Sequence, residues 1–206
     1  FASTTNRYEA NADATLKLSK RWSTSLLAHY ENETKAHDGN DDGFVDIPQV
    51  EQYNVWNRWA YMGDHYVFQA GIKALSETRT SGQVNHGGAI HSGDLYKVGI
   101  DTERYEFFTK NAYIFNKEKN TNLALILSTT LHNQDATYGR KLYNVDQTNV
   151  YASLMFETEF NPQNSFSAGL SFNYDAYDQH YRLENNTDNP LKAFEKEAVP
   201  GAYVQY

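Results

Sequence analysis

Cysteine is absent from the 206 residues, so disulfide staples and cysteine-ligated zinc or iron–sulfur centres are excluded. Proline occurs 4 times and glycine 12 times, too seldom for a collagen-like or Pro/Gly-rich disordered chain. Positive charge is in deficit: 18 Lys and Arg face 26 Asp and Glu, a formal net charge of −8. Such a chain gains nothing from counterion release on nucleic acid, which is therefore not among the expected partners. No run of about 18 apolar residues occurs, which excludes a transmembrane helix. What is abundant is aromatic side chain: 16 Tyr, 11 Phe and 3 Trp can bury enough area to argue against disorder. The mean hydropathy of −0.73 leaves one membrane class open, because barrel strands alternate apolar and polar residues and average low.

The dominant period is two. Phe166, Ala168, Leu170, Phe172, Tyr174 and Ala176 alternate with Ser165, Ser167, Gly169, Ser171, Asn173 and Asp175. Val150, Ala152, Leu154 and Phe156 alternate with Tyr151, Ser153, Met155 and Glu157. The same holds for Ala12–Leu18, for Trp22–Tyr30 and for Tyr66–Ala74. A helix has no use for this pattern, whereas a strand with two unlike faces does. It predicts nine strands, at 7–19, 21–35, 51–61, 65–79, 94–115, 122–136, 148–160, 165–182 and 196–206. Two have ambiguous facing: 52–61 carries aromatics on both faces, and Leu123–Leu127 is apolar throughout.

The predicted connections alternate in length. Lys20-Arg21, Met62-Gly63-Asp64, 116–121 and 161–164 are short, whereas 36–50, 80–93, 137–147 and 183–195 are long. In an antiparallel meander this gathers the long loops at one end, as in outer-membrane barrels and unlike a sandwich. The strands also exceed the five or six residues common in globular sheets and reach the nine to eleven that cross a bilayer. Trp22 and Tyr30 bracket one strand, and Phe160, Phe166 and Tyr174 sit near strand ends, where interfacial girdles would use them. The expected fold class is therefore all-β, an antiparallel up-and-down transmembrane β-barrel. An odd strand count, against the even number of single-chain bacterial barrels, predicts that residues 1–206 form part of one larger barrel domain.

In the order of the chain, Leu18–Glu31, His37–Trp59, Phe68–Gln83, Thr102–Phe115 and Val199–Tyr206 resemble a TonB-dependent outer-membrane receptor of the Bacteroidetes type. The resemblance runs through nearly the whole chain. It implies a barrel of about 22 strands closed by a plug domain. It also implies import of a scarce small molecule or glycan (cobalamin, haem, a siderophore) driven by the proton-motive force through TonB. The implied partners are outer-membrane lipids, TonB acting through a plug that lies outside these residues, and a surface lipoprotein. No enzymatic activity is expected: there is no Gly-x-Ser-x-Gly motif and no glycine-rich loop leading into a helix. Two other readings stay open on residues alone: a small complete outer-membrane barrel acting as adhesin or enzyme, and a soluble glycan-binding β-sandwich.

One local motif stands out. Asp38, Asn40, Asp42 and Asp46 fall at positions 1, 3, 5 and 9 of an EF-hand-like loop, with Gly43 at the sharp turn and the Phe44 carbonyl at position 7. Position 12 is Gln49 instead of the bidentate Glu, with Glu51 nearby. This set predicts a Ca²⁺ ion that orders an extracellular loop. His86 and His91, close together in the 80–93 segment, match no standard zinc spacing. Asp175, Asp178, Glu157 and Glu159 are placed to form carboxylate pairs or to line a polar lumen.

Overall fold

The computed structural model describes residues 1–3, 6–84, 95–184 and 186–206, with backbone alone at 186–189. It contains nine strands: β1 (Arg7–Lys17), β2 (Trp22–Glu33), β3 (Gln49–Met62), β4 (Tyr66–Gly82), β5 (Lys97–Asn116), β6 (Thr121–Tyr138), β7 (Lys141–Asn161), β8 (Asn164–Leu183) and β9 (Asn186–Gln205). They form one antiparallel sheet in the order β1 to β9, each paired with its neighbours in sequence. β1 and β9 are the two edges, so these nine strands form an open wall. There is no second sheet among the described residues, which removes the sandwich architecture. No described helix is long and apolar enough to cross a membrane, a test that says nothing of strands.

The register fixes which residues share a face. Opposed pairs carry one set through the sheet: Ala12, Ala28, Val55, Ala74, Tyr105, Leu131, Thr148 and Ala176 form one such row. The alternate rows hold Asn11, His29, Asn54, Leu75, Arg104, His132, Gln147 and Tyr177. One face is thus a belt of exposed apolar side chains, among them Leu26, Ile72, Phe107, Leu127, Leu154 and Leu170. Ser25, Glu33, Ala136, Val145 and Ser153, which are buried, all stand on the other face. The sheet therefore curls toward its polar side. Both ambiguous stretches are resolved by this phase. Leu123, Leu125 and Leu127 face the belt, and Trp56 alone among the aromatics of β3 faces the concave side.

The belt has two aromatic rims of constant separation. Trp22 and Tyr30, Tyr53 and Tyr61, Tyr105 and Tyr113, and Phe166 and Tyr174 each lie eight positions apart on one strand. That is about 26 Å of extended chain, matching a bilayer-spanning strand once inclined. Both rims drift together along the sheet. Tyr30 opposes Tyr53, Tyr105 lies one belt row nearer the short-turn end, and Tyr174 one row nearer again. The lower rim steps in the same way from Trp22–Tyr61 to Tyr66–Tyr113 to Phe166. Parallel drift of two rims is what inclined strands in a band of fixed height produce.

The polar groups inside the belt are all satisfied within the sheet. Thr24 Oγ1 donates to the Arg58 carbonyl (3.0 Å), and Asn57 Nδ2 to the Ser25 carbonyl (3.0 Å). Trp59 Nε1 donates to Asn57 Oδ1 at 2.7 Å. The Tyr66 hydroxyl donates to Asn111 Oδ1 (2.6 Å), Asn111 Nδ2 to Thr109 Oγ1 (3.1 Å), and Thr129 Oγ1 to the Asn149 carbonyl (3.0 Å). No charged residue of the described strands stands on this face between the rims. In hydrocarbon an unpaired polar group costs several kcal/mol, so this pairing is the condition for polar side chains there.

Two predicted long loops are corrected. Residues 137–147 and 183–195 are mostly strand: β6 and β7 join through Gly139-Arg140, while β8 runs to Leu183 and β9 begins at Asn186. Gly139 takes φ +61°, and a Cβ there would meet the Tyr96 ring at 2.7 Å, so the tight turn requires glycine. The physical reason for the miss is an inversion of amphipathicity beyond the upper rim. Here the belt face carries Asp135, Asn144, Asp146 and Asp178, while Ala136 and Val145 turn inward and are buried. The period persists, but polar and apolar sides have exchanged. The short turns at the other end are as predicted, and Ser19, Asn116 and Asn161 cap three of them by accepting backbone N–H bonds.

Leu127 lies midway between the rims. Leu127→Arg is expected to destabilise the protein in phospholipid vesicles by about 2–4 kcal/mol, whereas Ser128→Arg on the concave face changes little. Urea titrations of both variants check this, and equal effects would contradict the facing assigned here.

Candidate functional site

The concave wall carries the charge that the belt excludes. Near the upper rim, Arg7 contacts Glu9 (2.5 Å) and Glu31 (3.0 Å), and His29 Nδ1 lies 2.7 Å from Asn11 Oδ1. Further along, Glu106 lies between Lys73 (3.5 Å) and Arg104 (2.7 Å). Arg58 covers the Trp56 ring at 5.4 Å, and Lys110 the Phe108 ring at 5.9 Å. Asp175 accepts from Asn173 Nδ2 (2.7 Å), Asn149 Nδ2 (3.0 Å) and Gln147 Nε2 (3.3 Å). His132 Nδ1, in the row between Arg104 and Gln147, is buried with no hydrogen-bond partner among the described residues.

A hollow of about 460 Å³ lies across β1–β4 on this wall, lined by Asn11, Asp13, Leu27, His29, Trp56 and Lys73 among others. It offers an acid, a base, an amide and an indole face within one recess. That mixture suits a polar ligand with a flat or ringed part. None of these residues was singled out from sequence as a site. The signal was there in the phase of alternation: once Leu26 and Ala28 are assigned to the belt, Leu27 and His29 must line the opposite wall.

Of the carboxylates read as possible pairs, Glu157 and Glu159 line one hollow near the short turns, whereas Asp175 and Asp178 stand on opposite faces. Asp175 faces the concave wall among amides, whereas Asp178 stands on the outward face, 3.1 Å from His180 Nε2. Glu159 accepts from Asn120 Nδ2 at 2.6 Å in the short-turn region. His86 and His91 lie outside the described residues.

The Asp38–Asp46 segment forms a compact loop at the far end, stapled to the end of β4. Val45 N donates to the Gly82 carbonyl and Val84 N to the Gly43 carbonyl, each at 2.9 Å. Inside it, Asp38 accepts from Gly43 N (2.8 Å) and Asp42 N (3.3 Å). Asp42 accepts from Phe44 N (2.9 Å), Asn40 Oδ1 from Asp42 N (3.2 Å), and Asp46 from Gly39 N (2.7 Å). Gly43, with φ +84°, makes the sharp turn expected of it. Asp38, Asn40 and Asp42 are thus brought together, while Asp46 turns back on Gly39. Gln49 Nε2 donates to the Thr34 carbonyl and Glu51 accepts from the Tyr53 hydroxyl, so neither completes the set. Among the described residues no group of three or more His, Asp or Glu is placed to hold a metal ion.

Above the upper rim, the Glu77 carboxylate accepts hydrogen bonds from Arg79 Nε (2.6 Å) and from Gln52 Nε2. The Arg79 hydrogen bond holds the Glu77 carboxyl below its ordinary value of 4.5; partial burial pushes the other way and Gln52 adds to the lowering. A carboxyl lowered in the folded state stabilises above its unfolded value, and that contribution fades as pH falls through the folded one. Arg79→Ala is therefore expected to raise the pH at which the Glu77 carboxyl titrates, read by carbon NMR. An unchanged midpoint removes Arg79 from this role.

The chain is similar to the ferric yersiniabactin uptake receptor FyuA from Yersinia pestis. The likeness covers 96% of this chain and 34% of that one, with a TM-score of 0.58 and 13% identity. The likeness is one of fold. This chain spans about a third of the receptor's length. No protein-family model matches the chain, and no curated protein sequence matches it.

Proposed function

We propose that residues 1–206 are part of the barrel wall of a TonB-dependent outer-membrane receptor, which binds a scarce ligand at the cell surface and passes it inward. The observation that carries this reading is the belt. Its rims keep one spacing on four strands, its polar groups are all paired, and its reverse side is a charged, curved wall. A bilayer explains the first two and an aqueous lumen the third. Since β1 and β9 do not pair with each other, further strands of the same wall are the natural occupants of both edges.

In this reading the short turns face the periplasm and the long connections face outward. Ligand meets the far-end loops, then a wall in which Arg7, Lys73 and Arg104 are held by acids and Trp56 and Phe108 are covered by cations. Paired charges leave the lumen polar without a strong trap for either sign. Energy enters through TonB and a plug domain outside these residues. The ligand class remains that of siderophores, haem, cobalamin or glycans, and the Bacteroidetes lineage and the surface lipoprotein rest on the sequence resemblance alone.

Deleting the gene is expected to abolish growth on one scarce nutrient from a panel of ferric siderophores, haem, cobalamin and glycans. Uptake of that nutrient should collapse when a protonophore dissipates the proton-motive force. Uptake that survives the protonophore would contradict the energy coupling; wild-type growth of the deletion strain on every nutrient would contradict the receptor reading.

Calcium binding by the 38–46 loop is a separate part of the proposal, supported by the convergence of Asp38, Asn40 and Asp42 around the Gly43 turn. Isothermal titration should show Ca²⁺ binding that Asp42→Ala weakens at least tenfold. Absence of binding, or binding indifferent to this substitution, leaves the carboxylates as caps of backbone amides.

A further inference from the structure

We infer that the belt carries a binding site for one glycerophospholipid with a phosphoethanolamine-type headgroup, at the short-turn rim between β2 and β5. The inference rests on the membrane reading above. A hollow of about 320 Å³ on the outward face is walled by Trp22, Trp59, Phe68, Ile72 and Phe107, with Ala70 as its low floor. A second hollow, of about 410 Å³, shares Trp22 and Phe68 and adds Tyr61 and Tyr66 at the rim. Together they make a channel running from the aromatic rim into the belt. From Phe68 to Ile72 it follows four residues of strand, roughly 13 Å, the length of a substantial part of an acyl chain.

The channel opens on charges of both signs. Arg21 immediately precedes Trp22, and its guanidinium lies 2.7 Å from Asp64, with Lys117 at 3.8 Å on the other side of that carboxylate. The Arg21 carbonyl accepts from Met62 N (2.9 Å), which ties this turn to the residue after Tyr61 in the wall of the hollow. All three charged side chains are more than half exposed. Two cations flanking one carboxylate complement a phosphate diester beside a primary ammonium: Arg21 and Lys117 take the phosphate and Asp64 the ammonium. A choline headgroup lacks the N–H donors for Asp64, and a glycerol headgroup brings no cation to it. The floor is set by size, since Ala70 lies between the Trp59 and Thr109 positions, where a larger side chain would fill the channel.

The test is native mass spectrometry of the full-length protein, delipidated in detergent and offered phosphatidylethanolamine, phosphatidylcholine or phosphatidylglycerol in turn. Wild type should retain one phosphatidylethanolamine per copy, at least fivefold over the other two lipids. Ala70→Phe should lower retention at least fivefold by filling the channel. The double variant Arg21→Gln, Lys117→Gln, confined to exposed turns, should lower it similarly and decides the matter where Ala70→Phe does not fold. A wild type that keeps no lipid, or variants that keep as much as wild type, overturn the site; equal retention of the three lipids overturns the headgroup assignment. Each of these can occur in a chain that fractionates with the outer membrane and needs detergent. A chain that stays dissolved without detergent overturns the membrane reading itself.

Discussion

Backbone pairing is the constraint on which everything else here depends, and on the membrane reading proposed above it must be met without water. A strand in hydrocarbon has no solvent to satisfy its N–H and C=O groups, so each must bond to a neighbouring strand. Once nine strands are tied in one register, the side chains have only two directions to face. The belt, the curvature toward the polar side and the charged wall all follow from that choice. The same constraint reaches the side chains: Thr24, Asn57, Thr109, Asn111 and Thr129 occur in the belt because each finds a partner inside the sheet.

Much of this was legible in the amino-acid sequence. Alternation at 165–176 and 150–157 marks strands, and it marks their facing as well. Trp22 with Tyr30 brackets the belt as their positions foretold, whereas the pairing of Phe166 with Tyr174 across it emerges only from the register. The failures lie beyond the upper rim. A period-two reading looks for apolar residues on a constant side, and in 137–147 that side becomes polar while strand pairing continues. Local composition also reads as turn, with Gly139 in that segment and three Asn, Asp188 and Pro190 in 183–195, so it pointed to loops. Hydrogen bonding between two long strands outweighed local preference.

The candidate site was less legible than the fold. Leu27, His29, Trp56 and Lys73 come from three strands and meet only after pairing, so no linear motif announces them. The Asp38–Asp46 motif shows the opposite case. Its spacing was conspicuous, and the structure brings three of its side chains together. Yet the oxygens are engaged by Gly39, Asp42, Gly43 and Phe44 amides, a use that Asp and Asn in tight turns commonly have. Spacing alone does not distinguish an oxygen that waits for a cation from one that caps a turn.

The constant interval between the rims also governs how such a wall can vary. Inserting one residue between Trp22 and Tyr30 would turn the remainder of β2 over, sending Ser23 or His29 into the belt and Leu26 or Ala28 onto the concave face. Two residues would restore the phase but push one rim out of line with its neighbours. Beyond the upper rim neither penalty applies, because the β6–β7 and β8–β9 hairpins end free of the belt. They can lengthen by pairs while the ladder below stays in register. Divergence between homologous walls should therefore accumulate as hairpin length at the far end, above a belt whose segments keep one length.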